Sequence, residues 1–321
     1  MKQSPVERTI VTPERFLILS DGKPGHVNQA IAFAGLLGYG YDLCPVSFRN
    51  RGRKALSYLL DRLGIYSDSL FDAEKRAGEY AAVVSAGSGT YYANKALAKQ
   101  LGCQSVAIML PRGYRFDFDL IVAQQHDNPP AQANIVDVPI NLTYVEPQGI
   151  IKPQAGDKYI ALVIGGDSPH SKMNVELLRQ QIVHILELFP EHKVWMTTSR
   201  RTPEVVEKML HEFSYQRAVY YSQEPINPIP DYLQHSDYVF LTADSSSMIS
   251  EAVSFGTSCV EVLPLSGELS ERSKFSQLLK TLSAMNCLHV FDGSCDTCQN
   301  KISLADIFKQ KMTENFELKS V

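Results

Sequence analysis

The chain reads as a two-domain α/β protein in which each domain is a doubly wound sheet. Its 321 residues exceed one ordinary domain and suit two of about 150. Short, continuously apolar runs alternate with segments of helical spacing, the pattern of parallel strands covered by helices on both faces. A stretch rich in Pro, Gly and Gln at 145–157 (VEPQGIIKPQAGD) separates two such series and reads as a linker. The expected domains are therefore 1–150 and 151–321.

After a polar leader of about fifteen residues, FLILS at 16–20 is a strand, the Gly/Pro cluster after it a turn, and QAIAFAGLL at 29–37 a helix. AAVVSAG (81–87), SVAIML (105–110) and DLIVA (119–123) are buried strands, with the helical YYANKALAKQL between the first two. The second series opens with the strand KYIALVIGG at 158–166 and a helix over 174–188. It continues as strand KVWMTT, a helix from 203, strand AVYY, helix PDYLQHS, strand YVFLT, helix SSMISEAVSF and strand SCVEVL. A charged helical tail from about 303 is assigned to the second domain.

Lys+Arg 31 against Asp+Glu 35 gives a net charge of −4 with no long basic block, so a nucleic-acid partner is not expected. No signal-type leader is present and no apolar run reaches the roughly 18 residues of a membrane span, so the expected location is the cytoplasm. A peripheral contact with the inner membrane face stays open. Of six cysteines, Cys44, Cys103 and Cys259 sit in or beside strand-like runs and read as reduced core residues. Cys295 and Cys298 form a CxxC with Cys287 upstream, one thiol short of a tetrahedral zinc set, and no metal is assigned.

The strongest chemical signal is TADSSSMISEAVSFGTSCVEVL at 242–263, where a strand ends and Ser245, Ser246 and Ser247 open a helix carrying Glu251. Free N–H groups and the positive end of the helix dipole there suit a diphosphate, and Glu251, one turn in, suits a ribose diol. The alternative is that the serines only cap and Glu251 is a surface residue. A second strand runs straight into Gly165, Gly166, Asp167 and Ser168, where paired glycines admit a close backbone approach to a ligand, or simply turn the chain. Arg200 and Arg201 follow a third strand and add phosphate donors to the same rim, with one of the two expected to function. In the first half SDGKPGHVNQA places Asp21, Lys23, His26 and Asn28 at a strand-loop-helix junction. His26 or Asp21 is the candidate base for an acceptor hydroxyl, and the alternative for His26 is a helix-start residue held by the backbone. Arg112, His126 and Asp127 follow two further strands, as catalytic candidates or as loop residues. GxSxG, HExxH, Walker and GxGxxG patterns are absent, which removes the main support for hydrolase-triad, zinc-protease, kinase and dehydrogenase readings.

Taken in order, DGKPGHVNQ, PR…FDLIV…HD, SRRTP and NP…YL…SDYVFLTADSSSMISEA resemble the plant "elongated mitochondria" fission-factor family, which has many bacterial members. The resemblance covers residues 16–263. It implies a GT-B-like fold, two Rossmann-like domains facing across a cleft, and glycosyltransferase activity in bacterial members. The stretch 245–263 is also similar to the donor-site helix of the peptidoglycan N-acetylglucosaminyltransferase, which implies donor roles for Ser246, Ser247 and Glu251. GKPGH resembles that enzyme's glycine-rich loop ending in histidine and implies His26, with Lys and Pro in place of glycines. Where family members carry an AGRRT-like stretch, this chain has AGSGT at 86–90.

The expected activity is transfer of a sugar from a nucleotide diphosphate-sugar, bound by the second domain, to a cell-envelope glycan such as lipopolysaccharide, or to a lipid-linked acceptor. No cofactor beyond that co-substrate is expected. No Asp-x-Asp pair typical of metal-bridged donors is read in the chain, so no obligatory metal is expected. Two rivals stay open: a nucleotide-sugar epimerase of the same fold, and a membrane-recruitment or scaffold protein without chemistry.

Overall fold

A computed structural model describes residues 15–74, 78–168, 172–265, 273–297 and 300–315. Among the described residues two compact units emerge, one running from 15 to 138 with 304–315, the other from 139 to 303.

The first unit opens with β1 (Arg15–Ser20), α1 (Pro24–Leu37), β2 (Gly40–Phe48), α2 (Arg51–Arg62), β3 (Phe71–Ala73) and β4 (Ala82–Ala86). It continues with α3 (Tyr91–Leu101), β5 (Gln104–Ile108), β6 (Leu120–Gln124) and β7 (Ile135–Val138). Its sheet runs β3-β2-β1-β4-β5-β6-β7, parallel except for the β2/β3 edge. Phe16, Ile18, Val83, Val84 and Ala107 are fully buried on these strands, as helices on both faces require.

The second unit holds β8 (Lys158–Ile164), α4 (Val175–Leu188), β9 (His192–Thr198), α5 (Glu204–Leu210), β10 (Arg217–Val219) and α6 (Ile229–His235). There follow β11 (Tyr238–Thr242), α7 (Ser246–Ser254), β12 (Cys259–Leu263), α8 (Lys274–Ala284) and β13 (His289–Val290). The order β10-β9-β8-β11-β12-β13, parallel throughout, is the Rossmann order 3-2-1-4-5-6, and the first unit repeats it with one added strand. Trp195 on β9 stacks between Tyr159 and Tyr232, with ring centroids 4.0 and 5.5 Å away.

The boundary differs from the expected 150/151. Residues 139–150 belong to the second unit because their main chain is bound there. The Asp231 carboxylate, at the start of α6, accepts N–H groups from Gln148, Gly149, Ile150 and Ile151 at 2.7–2.9 Å, and Asn141 bonds Ser246 and Ser250 on α7. The tail helix α9 (Leu304–Asn315), assigned by sequence to the second domain, packs instead on the first unit. Phe308 sets its ring edge-on against Phe33 of α1, and Lys311 pairs with Asp137 at the end of β7 at 2.5 Å. Both contacts need an apolar face and a charge that the tail pattern contained but whose destination it did not.

Candidate functional site

In a doubly wound sheet, ligands bind beyond the carboxyl ends of the strands where the strand order reverses. In the second unit that switch point lies between β8 and β11. Gly165 and Gly166 leave β8 there. The Gly165 N–H donates to Thr242 Oγ1 (2.8 Å) and the Gly166 N–H to Asp244 Oδ2 (3.1 Å). The Asp244 side chain is 0% exposed and also accepts from the Thr242 hydroxyl (2.6 Å) and the Arg201 guanidinium (2.6 Å). A Cβ on Gly165 would overlap that carboxylate, and one on Gly166 the main-chain oxygen of Arg201. Both glycines are therefore required by space.

The two arginines separate. Arg201 also donates to the Asp167 carbonyl (3.0 Å), so it ties the β8 and β11 loops together, whereas Arg200, exposed like Arg201, has no hydrogen bond or ion pair among the described residues. The Asp167 carboxylate turns back on its own loop, accepting from Lys172 Nζ (2.8 Å) and the Met173 N–H (3.0 Å). The Lys172 bond first, then that N–H, holds its carboxyl below the usual carboxylate range. Ser168 follows, half-buried.

At the start of α7, the Ser245 hydroxyl caps the helix by accepting the Met248 N–H (3.3 Å). Ser246 Oγ accepts from the Asn141 amide (3.1 Å), and Ser247 is exposed. Glu251 lies four residues beyond Ser247 on the same helical face, half-buried. Its carboxyl has no hydrogen bond or ion pair among the described residues, and burial raises its pKa from 4.5 to about 7.

The first unit has its own switch point between β1 and β4. The His26 Nδ1 lies 3.0 Å from Oδ2 and 3.1 Å from Oδ1 of Asp21. A carboxylate only accepts, so Nδ1 is the donor of the pair, and in the neutral imidazole the lone pair sits on Nε2. The Asp21 carboxylate also receives the Lys23 N–H (3.2 Å), with Lys23 Nζ at 3.4 Å. The AGSGT loop after β4 walls the pair. Gly87, at φ +85°, packs directly on the His26 ring, and a Cβ on Gly89 would stand 3.0 Å from the Asp21 Cβ. Asn28 is exposed at the start of the second turn of α1. At the ends of β5 and β6, Arg112 pairs with the nearly buried Asp127 (3.2 Å), with His126 beside it.

An Asp-x-Asp pair does occur in the first unit, and the fold absorbs it. Asp117 bonds Lys95 and Arg115, and Asp119 accepts from the Ser105 N–H and hydroxyl at 2.8 Å. Cys44 and Cys287 are buried and Cys103, Cys259 and Cys295 partly so, all as free thiols. Cys298 lies outside the described residues. Sequence reasoning did not single out Asp244, Asn141, Gly87 or Gly89 as site residues. An acid placed directly between a strand end and a capping serine, and two glycines directly after a strand, were the available signals. Asn141 gave none.

Two successive doubly wound units, each with a polar loop cluster at its switch point, define a GT-B-like protein built of Rossmann-like units. The chain belongs to the Mitochondrial fission ELM1 family, whose profile it matches over residues 24–309. No curated protein matches it significantly. Among solved structures it is similar to MurG of Acinetobacter baumannii, at 14% identity over 96% of this chain and 92% of that one, with TM-score 0.44. It is also similar to S. aureus MnaA solved with UDP (11% identity, 95% and 98% covered, TM-score 0.47) and to the glycosyltransferase SnogD of Streptomyces nogalater (13%, 94% and 95%, 0.47).

Proposed function

We propose that the protein transfers a sugar from a nucleoside diphosphate-sugar to a hydroxyl of a cell-envelope glycan or lipid-linked acceptor. The observation that carries the reading is Glu251. An unpaired, half-buried carboxylate one turn inside a helix is costly to the fold, and a ribose diol supplies the two donors it lacks. The first-turn amides of α7, with Ser246, Ser247 and Arg200, receive the diphosphate, while Gly165 and Gly166 let the main chain approach it. Asp244 and Arg201 hold that loop pair in place.

Unit 1 is assigned the acceptor. Nε2 of His26 takes the acceptor proton as the new glycosidic C–O bond forms and the bond from sugar to diphosphate breaks, and Asp21 stabilises the imidazolium. The charge on the departing diphosphate is met by helix amides and Arg200, so the scheme asks for no metal. The test is calorimetric titration with UDP, GDP, CMP and ADP and their sugar conjugates, beside Glu251→Ala and Ser246→Ala. Saturable binding of one nucleotide that is lost in Glu251→Ala supports the donor site. Absence of binding at millimolar ligand overturns it and favours a scaffold role.

A further inference from the structure

Helix α2 departs from the usual pattern on both faces. Its polar residues Ser57 and Asp61 are fully buried, while Leu56, Leu59 and Leu63 are 42, 55 and 62% exposed and Ile65, just past its end, is 50% exposed. The inward face combines Tyr58 and Leu60, which pack on the core, with these two polar groups, which the unit uses. Asp61 accepts from Lys95 Nζ (2.7 Å), the Arg115 N–H (2.7 Å) and the Tyr66 hydroxyl (3.3 Å), and Ser57 Oγ lies 3.0 Å from the Tyr114 hydroxyl. With those partners taken inside, the spacing 56, 59, 63 aligns the leucines in one solvent-facing stripe. Four residues of α2 are cationic, Arg51, Arg53, Lys54 and Arg62, and its one acid is the buried Asp61. Arg51 and Arg62 are exposed near the two ends of the helix, with no hydrogen bond or ion pair among the described residues.

We infer that α2 is a peripheral docking face for an anionic lipid surface. A row of leucines flanked by unpaired arginines is the composition of a helix that lies in the headgroup plane, apolar side chains dipping below it and guanidinium groups on the phosphates. The helix carries four cations against one buried acid, whereas the whole chain has a net charge of −4. A protein groove fits less well. The stripe contains no aromatic side chain, and protein-interface anchors are rich in Trp and Tyr. Among the described residues no helix is long and apolar enough to cross a membrane, so contact through α2 is from one side. Orienting the protein this way would bring a lipid-linked or membrane-borne acceptor within its reach. The surface itself stands independently of the nucleotide reading.

The experiment is co-sedimentation of the full chain, without nucleotide, with vesicles of phosphatidylethanolamine and phosphatidylglycerol and with vesicles of phosphatidylcholine alone. Binding to the anionic vesicles is expected to weaken about tenfold or more in both Leu59→Ser/Leu63→Ser and Arg51→Glu/Arg62→Glu, and to fall with added salt. Both pairs are exposed, so an unchanged melting temperature shows that the variants are folded. Failure of the wild type to bind anionic vesicles, or equal binding by both variants, overturns the inference. So does a wild-type dimer that the leucine variant converts to monomer with no vesicle binding by either, because the stripe then covers a second copy.

Discussion

Nδ1 of His26 stands 3.0 Å from Oδ2 of Asp21, and two glycines of one loop hold them, Gly87 against the imidazole and Gly89 against the Asp21 side chain. The carboxylate fixes which ring nitrogen is basic, so its replacement by an amide leaves the shape and loses the tautomer. Asp21→Asn is therefore expected to lower donor turnover about 10²- to 10⁴-fold, with His26→Ala similar and the double variant no worse than the worse single. Nucleoside diphosphate release gives the rate and titration gives the donor Kd, which stays unchanged. A full rate in Asp21→Asn would mean that the pair is only structural.

The β8 loop makes a steric prediction. A Cβ at position 166 meets main chain, at Arg201, and one at 165 meets the side chain of Asp244, which can rotate only by giving up the Gly166 N–H and Arg201. Gly166→Ala is expected to lower stability by about 3 kcal/mol and Gly165→Ala by about 1–2 kcal/mol, the range of forced overpacking. Thermal unfolding monitored by Trp195, buried in the same unit, reads both. A Gly166→Ala variant as stable as wild type would show that the two loops are not locked.

Asp231 ties residues 148–151 to α6 through four N–H donors. Burial opposes its ionisation, but those donors outweigh it and hold its carboxyl below the usual carboxylate range. The folded-state pKa is thus depressed, so the stabilisation is complete above the unfolded value near 4 and is lost as pH falls through the folded value. Asp231→Ala is expected to cost about 3 kcal/mol at pH 7 and much less at the acid end of a denaturation series. A constant difference across pH would assign the effect to packing.

Much of this architecture is legible in the sequence because buried parallel strands are continuous apolar runs. FLILS, AAVVSAG, KYIALVIGG and YVFLT all lie where the pattern puts them, and the helix predicted over 174–188 is observed at Val175–Leu188. The strand β2 was not, since its burial alternates and Pro45 interrupts it, and α2 was not, since its exposed leucines and buried Asp61 depart from the usual amphipathic pattern. At the candidate sites, each strand-loop-helix junction was readable from Gly, Ser and Pro. Which side chain serves the fold was not. The separate situations of Arg200 and Arg201 depend on Asp244, whose role arises only when β8 and β11 become neighbours 77 residues apart in sequence, as the Gly165–Thr242 bond shows.

Glu251 offers the clearest test by pH. Burial raises its pKa from 4.5 to about 7. Below about pH 4.5 it is protonated both folded and unfolded and costs nothing. Between the two values the unfolded chain loses the proton first, so the native state is progressively penalised, and above pH 7 the full penalty applies, roughly 2 kcal/mol allowing for its partial exposure. Glu251→Gln, which carries no charge to bury, is therefore expected to be more stable than wild type at pH 8 and equal at pH 4.5. Nucleotide binding runs the other way. Under the proposed ribose contact only the ionised carboxylate would accept both hydroxyls, so wild-type affinity is expected to fall as pH drops from 8 to 6, approaching about tenfold per unit below the pKa. The Gln variant binds weakly at every pH. Denaturation and titration on the same two proteins measure both effects, and parallel stability curves would show that the carboxylate is not held unpaired in a buried place. Stabilisation by Gln at pH 8 together with loss of binding is the result expected of a residue that weakens the free fold and gains its partners from the ligand.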